Sequence, residues 1–170
     1  MTGNLTETIH ATLVQVFAVG VLITGESGSG KSECSLELIS RGHVLVADDV
    51  VELTRVELTL YGSAPQKFRG LLKIRDVGIC DVQEIFGNGS VVDRCEIGIS
   101  VALGRTASEE TGRISENRSF VDFIDVSLPH FEISNSAARP LPLIIEAIVK
   151  TFGSCAAARL IQDHDRAVAG

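Results

Sequence analysis

Residues 12–24 (TLVQVFAVGVLIT) begin by alternating, with Leu13, Gln15 and Phe17 set against Val14 and Val16, then become wholly apolar from Val19 to Ile23. Alternation marks a strand with two unlike faces, and a continuous apolar run marks one buried on both. The pattern predicts two strands here. From Lys31 to Arg41 the period changes: Leu36, Leu38 and Ile39 recur at helical spacing and Gly42 supplies a stop. Val44 to Ala47 predicts a short buried strand that ends in Asp48 and Asp49, and 50–61 (VVELTRVELTLY) alternates as a strand with one wet face. Gly62 and Pro65 break the chain.

Leu71 to Ile79 and Ile97 to Leu103 predict further strands, with one helical turn between them at Val82 to Phe86. Residues 104–119 are polar and predict a loop, and Phe131 to Ser134 predicts a last strand. Leu141 to Ile161 predicts a helix, with Leu141, Ile144, Ile145, Ile148, Val149 and Phe152 on one face and Pro140 and Pro142 near its first turn. Strands in the middle with helices around them predict an α/β domain with a mixed sheet.

Composition narrows the class. At 170 residues and 45% hydrophobic, the chain is the size of one domain with a core of its own. No apolar run reaches the length of a membrane helix, and the start lacks the pattern of a signal peptide. A net charge of −7 argues against nucleic acid or an anionic membrane as the main partner. Cys34, Cys80, Cys95 and Cys155 form no CxxC pair, so reduced thiols in a cytoplasmic protein are expected. Cys34 is expected to be a small buried hydrophobe, and His43 and His130 to be structural.

The strongest chemical signal is Gly25-Glu26-Ser27-Gly28-Ser29-Gly30-Lys31-Ser32, which fills the phosphate-loop pattern G-x4-G-K-[ST] between an apolar strand and a helix. Glycines let successive backbone N–H groups turn toward phosphate oxygens, and the helix N-terminus adds partial positive charge. Lys31 would reach the terminal phosphates and Ser32 would place its hydroxyl on Mg²⁺. A nucleotide or another polyphosphate is the ligand this predicts.

Asp48 and Asp49 close the strand after that helix and so return to the same sheet edge as the loop. Two adjacent carboxylates there can divide the work, one near the metal and one accepting a hydroxyl proton. Aspartates after a strand also serve as caps and turns. His10, just ahead of the first predicted strand, is by itself a surface or capping residue.

His10 to Arg55 closely resembles the start of the catalytic domain of the HPr kinase/phosphorylase family, which carries a His, two strands, GxxGxGKSE and then RGH-x-LVADDVVE. Ala64-Pro65, Leu72 to Val82 (LKIRDVGICDV) and Phe86-Gly87 continue the match, and Thr111 to Ile114 and Asp125 to Pro129 follow more thinly. The resemblance implies a fold related to phosphoenolpyruvate carboxykinase, a hexamer, and ATP- and Mg-dependent phosphorylation of a serine on the phosphocarrier HPr. It also implies reversal by phosphorolysis, in which inorganic phosphate attacks and pyrophosphate leaves, and a role in regulating carbon metabolism through the phosphotransferase system. Gly25 to Ser32 would hold ATP, with Lys31 on the transferring phosphoryl and Ser32 and Asp48 at the metal. Asp49 would be the base and later the acid, assisted by Asp48, with His10 and Arg113 as further active-site residues.

Three departures shape these expectations. Lys73 stands where the family has a metal-site Glu, and Asp76 replaces a Gly. In the segment the family uses for phosphorolysis, Ser134 to Pro140, only Arg139 survives, which predicts weakened phosphorolysis. The separate N-terminal domain of many members is absent, so residues 1–170 are expected to be a single catalytic domain. The other readings are a degenerate ATP-binding module that transfers nothing, and a kinase for another substrate.

Overall fold

The computed structural model describes residues 4–104, 114, 119–136 and 138–152. The strands are β1 (Thr6–His10), β2 (Thr12–Val16), β3 (Val19–Thr24), β4 (Val44–Ala47), β5 (Val50–Val56), β6 (Thr59–Ser63), β7 (Leu71–Ile74), β8 (Gly78–Asp81), β9 (Arg94–Gly104), β10 (Ser119–Phe123) and β11 (Val126–Ser134). The helices are α1 (Lys31–Ser40), α2 (Val82–Phe86) and α3 (Leu141–Phe152). The fold is mixed α/β with few helices. The part of the predicted helix beyond Phe152 and most of the predicted polar loop fall outside the described residues, as does Cys155.

Nine strands form one sheet in the order β1-β5-β6-β9-β3-β2-β4, with β11 also on β9 and β10 on β11. β9 makes this branching possible because it is 11 residues long. Its first residues pair antiparallel with β6, its last pair parallel with β11, and its other edge runs parallel to β3. The sheet curls, and the period-2 alternation of its strands then faces two cores. Val14, Val21 and Ile23 pack with α1 and α3, whereas Leu13, Leu22, Val51 and Leu53 fill the inside of the curl. Gly62 leaves room for this packing: a Cβ on it would stand 2.4 Å from Leu13 Cδ2, which would have to shift.

Several predicted strands turn out to be hairpins. The run 50–61 folds at Glu57 (φ 56°) into β5 and β6, and 71–79 folds at Asp76 (φ 61°) into β7 and β8. β10 is joined to β11 through Ile124 and Asp125, both at positive φ. These turns adopt left-handed backbone without glycine, so the chain carries none of the usual hairpin signals there. β1 is an exposed edge strand whose TETIH sequence has no apolar face to announce it. Among the described residues no helix is long and apolar enough to cross a membrane.

α1 is fastened to α3 through charge. Arg41, just past α1, donates from Nε and Nη2 to Glu146 at 2.7 and 2.6 Å, and His43 Nε2 lies 2.8 Å from the same carboxylate. His43 in turn meets the edge of Phe17, over whose ring the Lys150 ammonium lies at 5.0 Å. Cys34, on the buried face of α1, is held in apolar surroundings that push its thiol up to about 12, so it packs as a small hydrophobe.

The Arg41 guanidinium beside Glu146, with His43 adding to it, holds that carboxyl down to about 2 from its ordinary 4.5. A folded-state value below the unfolded one contributes stability that is complete above pH 4.5 and is lost as pH falls toward about 2. Glu146→Gln is expected to lower stability at pH 7 by about 1–3 kcal/mol and to flatten the dependence of urea midpoint on pH across that acid window.

Candidate active site

β3 delivers the glycine-rich loop, residues 25–30, to the N-terminus of α1. Gly25, Gly28 and Gly30 all take positive φ, at 144°, 80° and 91°. Lys31, first in the helix and buried, bends its ammonium back to donate to the carbonyls of Gly25 and Glu26 at 2.9 Å, with Ser29 Oγ at 3.4 Å. Burial pulls this ammonium below the ordinary lysine range, while Asp49 and Asp48 push the other way. The loop is held from outside by Asn135, whose side-chain amide donates to the Ser29 carbonyl.

Asp48, 6% exposed, is where the elements meet. Its Oδ1 accepts from Thr12 Oγ1 at 3.0 Å and from Ser32 Oγ at 3.0 Å, and its Oδ2 accepts from the Lys73 backbone N–H at 3.1 Å. β2, α1 and β7 are thereby referred to one carboxylate. Asp49 follows at φ 68°, with the Val50 N–H donating to the Asp48 carbonyl at 2.8 Å, the geometry of a γ-turn. Such a conformation stores about 1–3 kcal/mol, and the Ala11 N–H, bonded to the Asp49 carbonyl at 3.2 Å, helps hold it. The turn leaves the Asp49 side chain 61% exposed, with His10 Nδ1 3.1 Å from its Oδ1.

These residues line one cavity of about 310 Å³: His10, Thr12, Ser27, Gly28, Gly30 to Glu33, Asp48 and Asp49, with Lys73 and Arg75 from the β7–β8 hairpin. Gly25, Glu26 and Ser29 open instead onto a second cavity behind the loop, with Leu103, Gly104 and Asn135. Of the sequence-predicted residues, His10, Lys31, Ser32, Asp48 and Asp49 are brought together. Arg113 lies outside the described residues. Arg139 is exposed ahead of α3 and lines neither cavity. Asp76 serves the β7–β8 turn and does not line the cavity.

Thr12, Arg75 and Asn135 were not singled out from sequence. Thr12 had a signal: it is the polar residue on the face of β2 that carries Val14 and Val16, and such a residue needs a buried partner. Ser32 Oγ and the Asp48 carboxylate are adjacent hard oxygen donors. A magnesium ion that arrives with phosphates takes one or two protein oxygens and completes its shell with phosphate and water, so these two residues fit one such ion. Among the described residues, no group of three or more His, Cys, Asp and Glu is gathered as a metal cage.

A mixed α/β fold that feeds a glycine-rich loop into a helix beside a buried carboxylate gives the class. The comparisons narrow it. The HPr Serine kinase C-terminal domain family model matches residues 4–161. A solved structure of the Hpr(Ser) kinase/phosphatase from Coxiella burnetii superposes with a TM-score of 0.79 at 34% identity, covering 95% of this chain and 96% of that one. HPr kinase/phosphorylase from Lactiplantibacillus plantarum is 42% identical over 154 residues, 88% of this chain and 49% of the relative. The protein of that name from Caldanaerobacter subterraneus is 42% identical over 141 residues, 82% of this chain and 46% of the relative. The chain belongs to the HPr serine kinase C-terminal domain family, and it spans about half the length of the curated relatives it matches.

Asp48→Ala is expected to destabilise the protein by about 1–3 kcal/mol in urea unfolding, because Thr12 and the Lys73 N–H lose their acceptor. Asp49→Ala, at an exposed carboxylate, is expected to cost less than about 1 kcal/mol.

Proposed function

We propose that this chain is a serine kinase acting on the phosphocarrier HPr with ATP, and so regulates carbon metabolism through the phosphotransferase system. The observation that carries this is the grouping of Lys31, Ser32, Asp48 and Asp49 around one cavity at a phosphate-loop sequence. Family membership supplies the acceptor. Phosphoryl transfer asks for positioning, charge compensation and one base within reach of the hydroxyl, and each has a residue here.

The triphosphate lies along the backbone N–H groups of 25–32. Lys31 then exchanges its loop carbonyls for phosphate oxygens and opposes the charge that develops on the transferring group. Asp49, exposed and turned outward by its γ-turn, takes the proton of the acceptor serine as the serine oxygen bonds to the γ-phosphorus and the bond to ADP breaks. His10 holds Asp49 Oδ1 and leaves Oδ2 to the hydroxyl. Asp48 keeps the Ser32 hydroxyl in place. Mg²⁺, held by Ser32 and Asp48, would neutralise charge on the phosphate oxygens when bound. Arg113 completes the site on the family pattern.

In phosphorolysis an oxygen of inorganic phosphate bonds to the phosphoserine phosphorus as the bond to the serine oxygen breaks, giving pyrophosphate, and protonated Asp49 gives its proton to that serine oxygen. The exposed Arg139, away from both cavities, supports a phosphorolysis weaker than the forward reaction. A hexamer, a cytoplasmic setting and a carboxykinase-like phosphate-loop fold within a single domain belong to the same reading. Lys73 in the cavity favours one alternative, a module that binds ATP and transfers nothing.

Intact-mass spectrometry of HPr after incubation with ATP, Mg²⁺ and the full chain separates the two. The kinase reading predicts one added phosphoryl group, formed about 10²–10⁴-fold more slowly by Asp49→Asn. Unmodified HPr, with ATP still bound by the protein, contradicts it and favours the silent binder. With phospho-HPr and inorganic phosphate, release of pyrophosphate is expected to be slower than the forward reaction.

A further inference from the structure

The β7–β8 hairpin brings cationic charge to the cavity in a way the proposed mechanism does not use. Along β7, Leu72, fully buried, and Ile74 pack into the core beneath α1, while Lys73 on the strand and Arg75, first in the turn that follows, are both exposed and line the cavity. The Lys73 N–H, bonded to Asp48 Oδ2, sets the height of the hairpin over the cavity. Arg75 reaches across to the loop: its Nη1 lies 3.5 Å from where a Cβ on Gly28 would stand. Gly28, at a φ of 80° that strains residues with a side chain, leaves backbone and guanidinium facing each other with no side chain between them.

Among the described residues, the side chains of Lys73 and Arg75 have no carboxylate partner. This sets them apart, because other cations are committed. Arg41, Arg55 and Arg69 pair with carboxylates. Lys67, Arg94 and Lys150 lie over aromatic rings. Arg139 is exposed and away from the cavity. In an acidic chain, two uncommitted cations on one hairpin, both lining the cavity that holds Lys31, amount to a place for negative charge.

We propose that Lys73 and Arg75 form a second phosphate-oxygen subsite, which engages the phosphoryl groups of a pyrophosphate-bearing ligand on the side turned away from the glycine-rich loop. The ligand is then held between two sets of protein donors, the loop with Lys31 on one side and the hairpin pair on the other. Charge on the phosphates is met by the protein itself, so anion binding does not wait on a divalent cation, and an ion at Ser32 and Asp48 adds to an affinity already present. The pair differs in character: Arg75 offers a planar fork to two oxygens, and Lys73 offers a point charge. The proposal rests on the reading that the loop binds phosphate.

Isothermal titration of inorganic pyrophosphate into the full chain in EDTA tests it, with three proteins compared. The unaltered chain is expected to bind. The double variant Lys73→Gln with Arg75→Gln, which keeps the Lys73 N–H and its bond to Asp48, is expected to bind about 10–30-fold more weakly. Its melting temperature should be unchanged. Lys31→Ala is expected to bind more weakly still. If the double variant matches the unaltered chain within about twofold while Lys31→Ala fails, the subsite is wrong and the loop reading stands. If Lys31→Ala also binds normally, the loop reading fails and takes the subsite with it. Absence of binding by the unaltered chain in EDTA overturns the proposal as well.

Discussion

Removing a carboxylate from water costs several kcal/mol unless hydrogen bonds replace the lost hydration. Asp48 is nearly inaccessible and has that replacement in the hydroxyls of Thr12 and Ser32 and the backbone of Lys73. The three donors belong to β2, α1 and β7, elements brought together only by the complete fold. The requirement to satisfy one buried charge therefore fixes the cavity wall, the tilt of the helix that starts at Lys31 and the height of the hairpin that carries Lys73 and Arg75. It also fixes Asp49, because the chain must reverse at once from β4 into β5, and the γ-turn that does so points the second carboxylate outward beside His10.

This division of the two aspartates follows from position rather than from residue type. One is the last group of the closed wall and the other is the first group of the open mouth. The buried carboxylate gathers the hydroxyls and the backbone N–H around it, whereas the exposed one is held on one oxygen by His10 and faces the open cavity. Adjacency in the sequence conceals how different their surroundings are.

The parts legible in the sequence were those with strong local chemistry. Gly25 to Ser32 is a motif whose spacing dictates its conformation, and Val19 to Ile23 and the apolar face of α3 announce themselves by period. The branching of β9 between β6 and β11 was not legible, since no residue in that strand marks where one neighbour gives way to another. The hairpins at Glu57, Asp76 and Ile124-Asp125 were hidden because their left-handed residues are not glycines, and tertiary packing pays for what local propensity would refuse. The contribution of the β7–β8 hairpin was legible in part. The resemblance put Lys73 at the position of a metal-site Glu, whereas no local signal marked Arg75, and the fold shows that both line the cavity.

Hydrogen–deuterium exchange of the full chain with and without ATP and Mg²⁺ tests the location and organisation of this site most directly. The account predicts that adding the nucleotide slows exchange at residues 25–32 and at 73–75, with β10 unchanged. Unaltered exchange at 25–32, with protection appearing elsewhere, would contradict it.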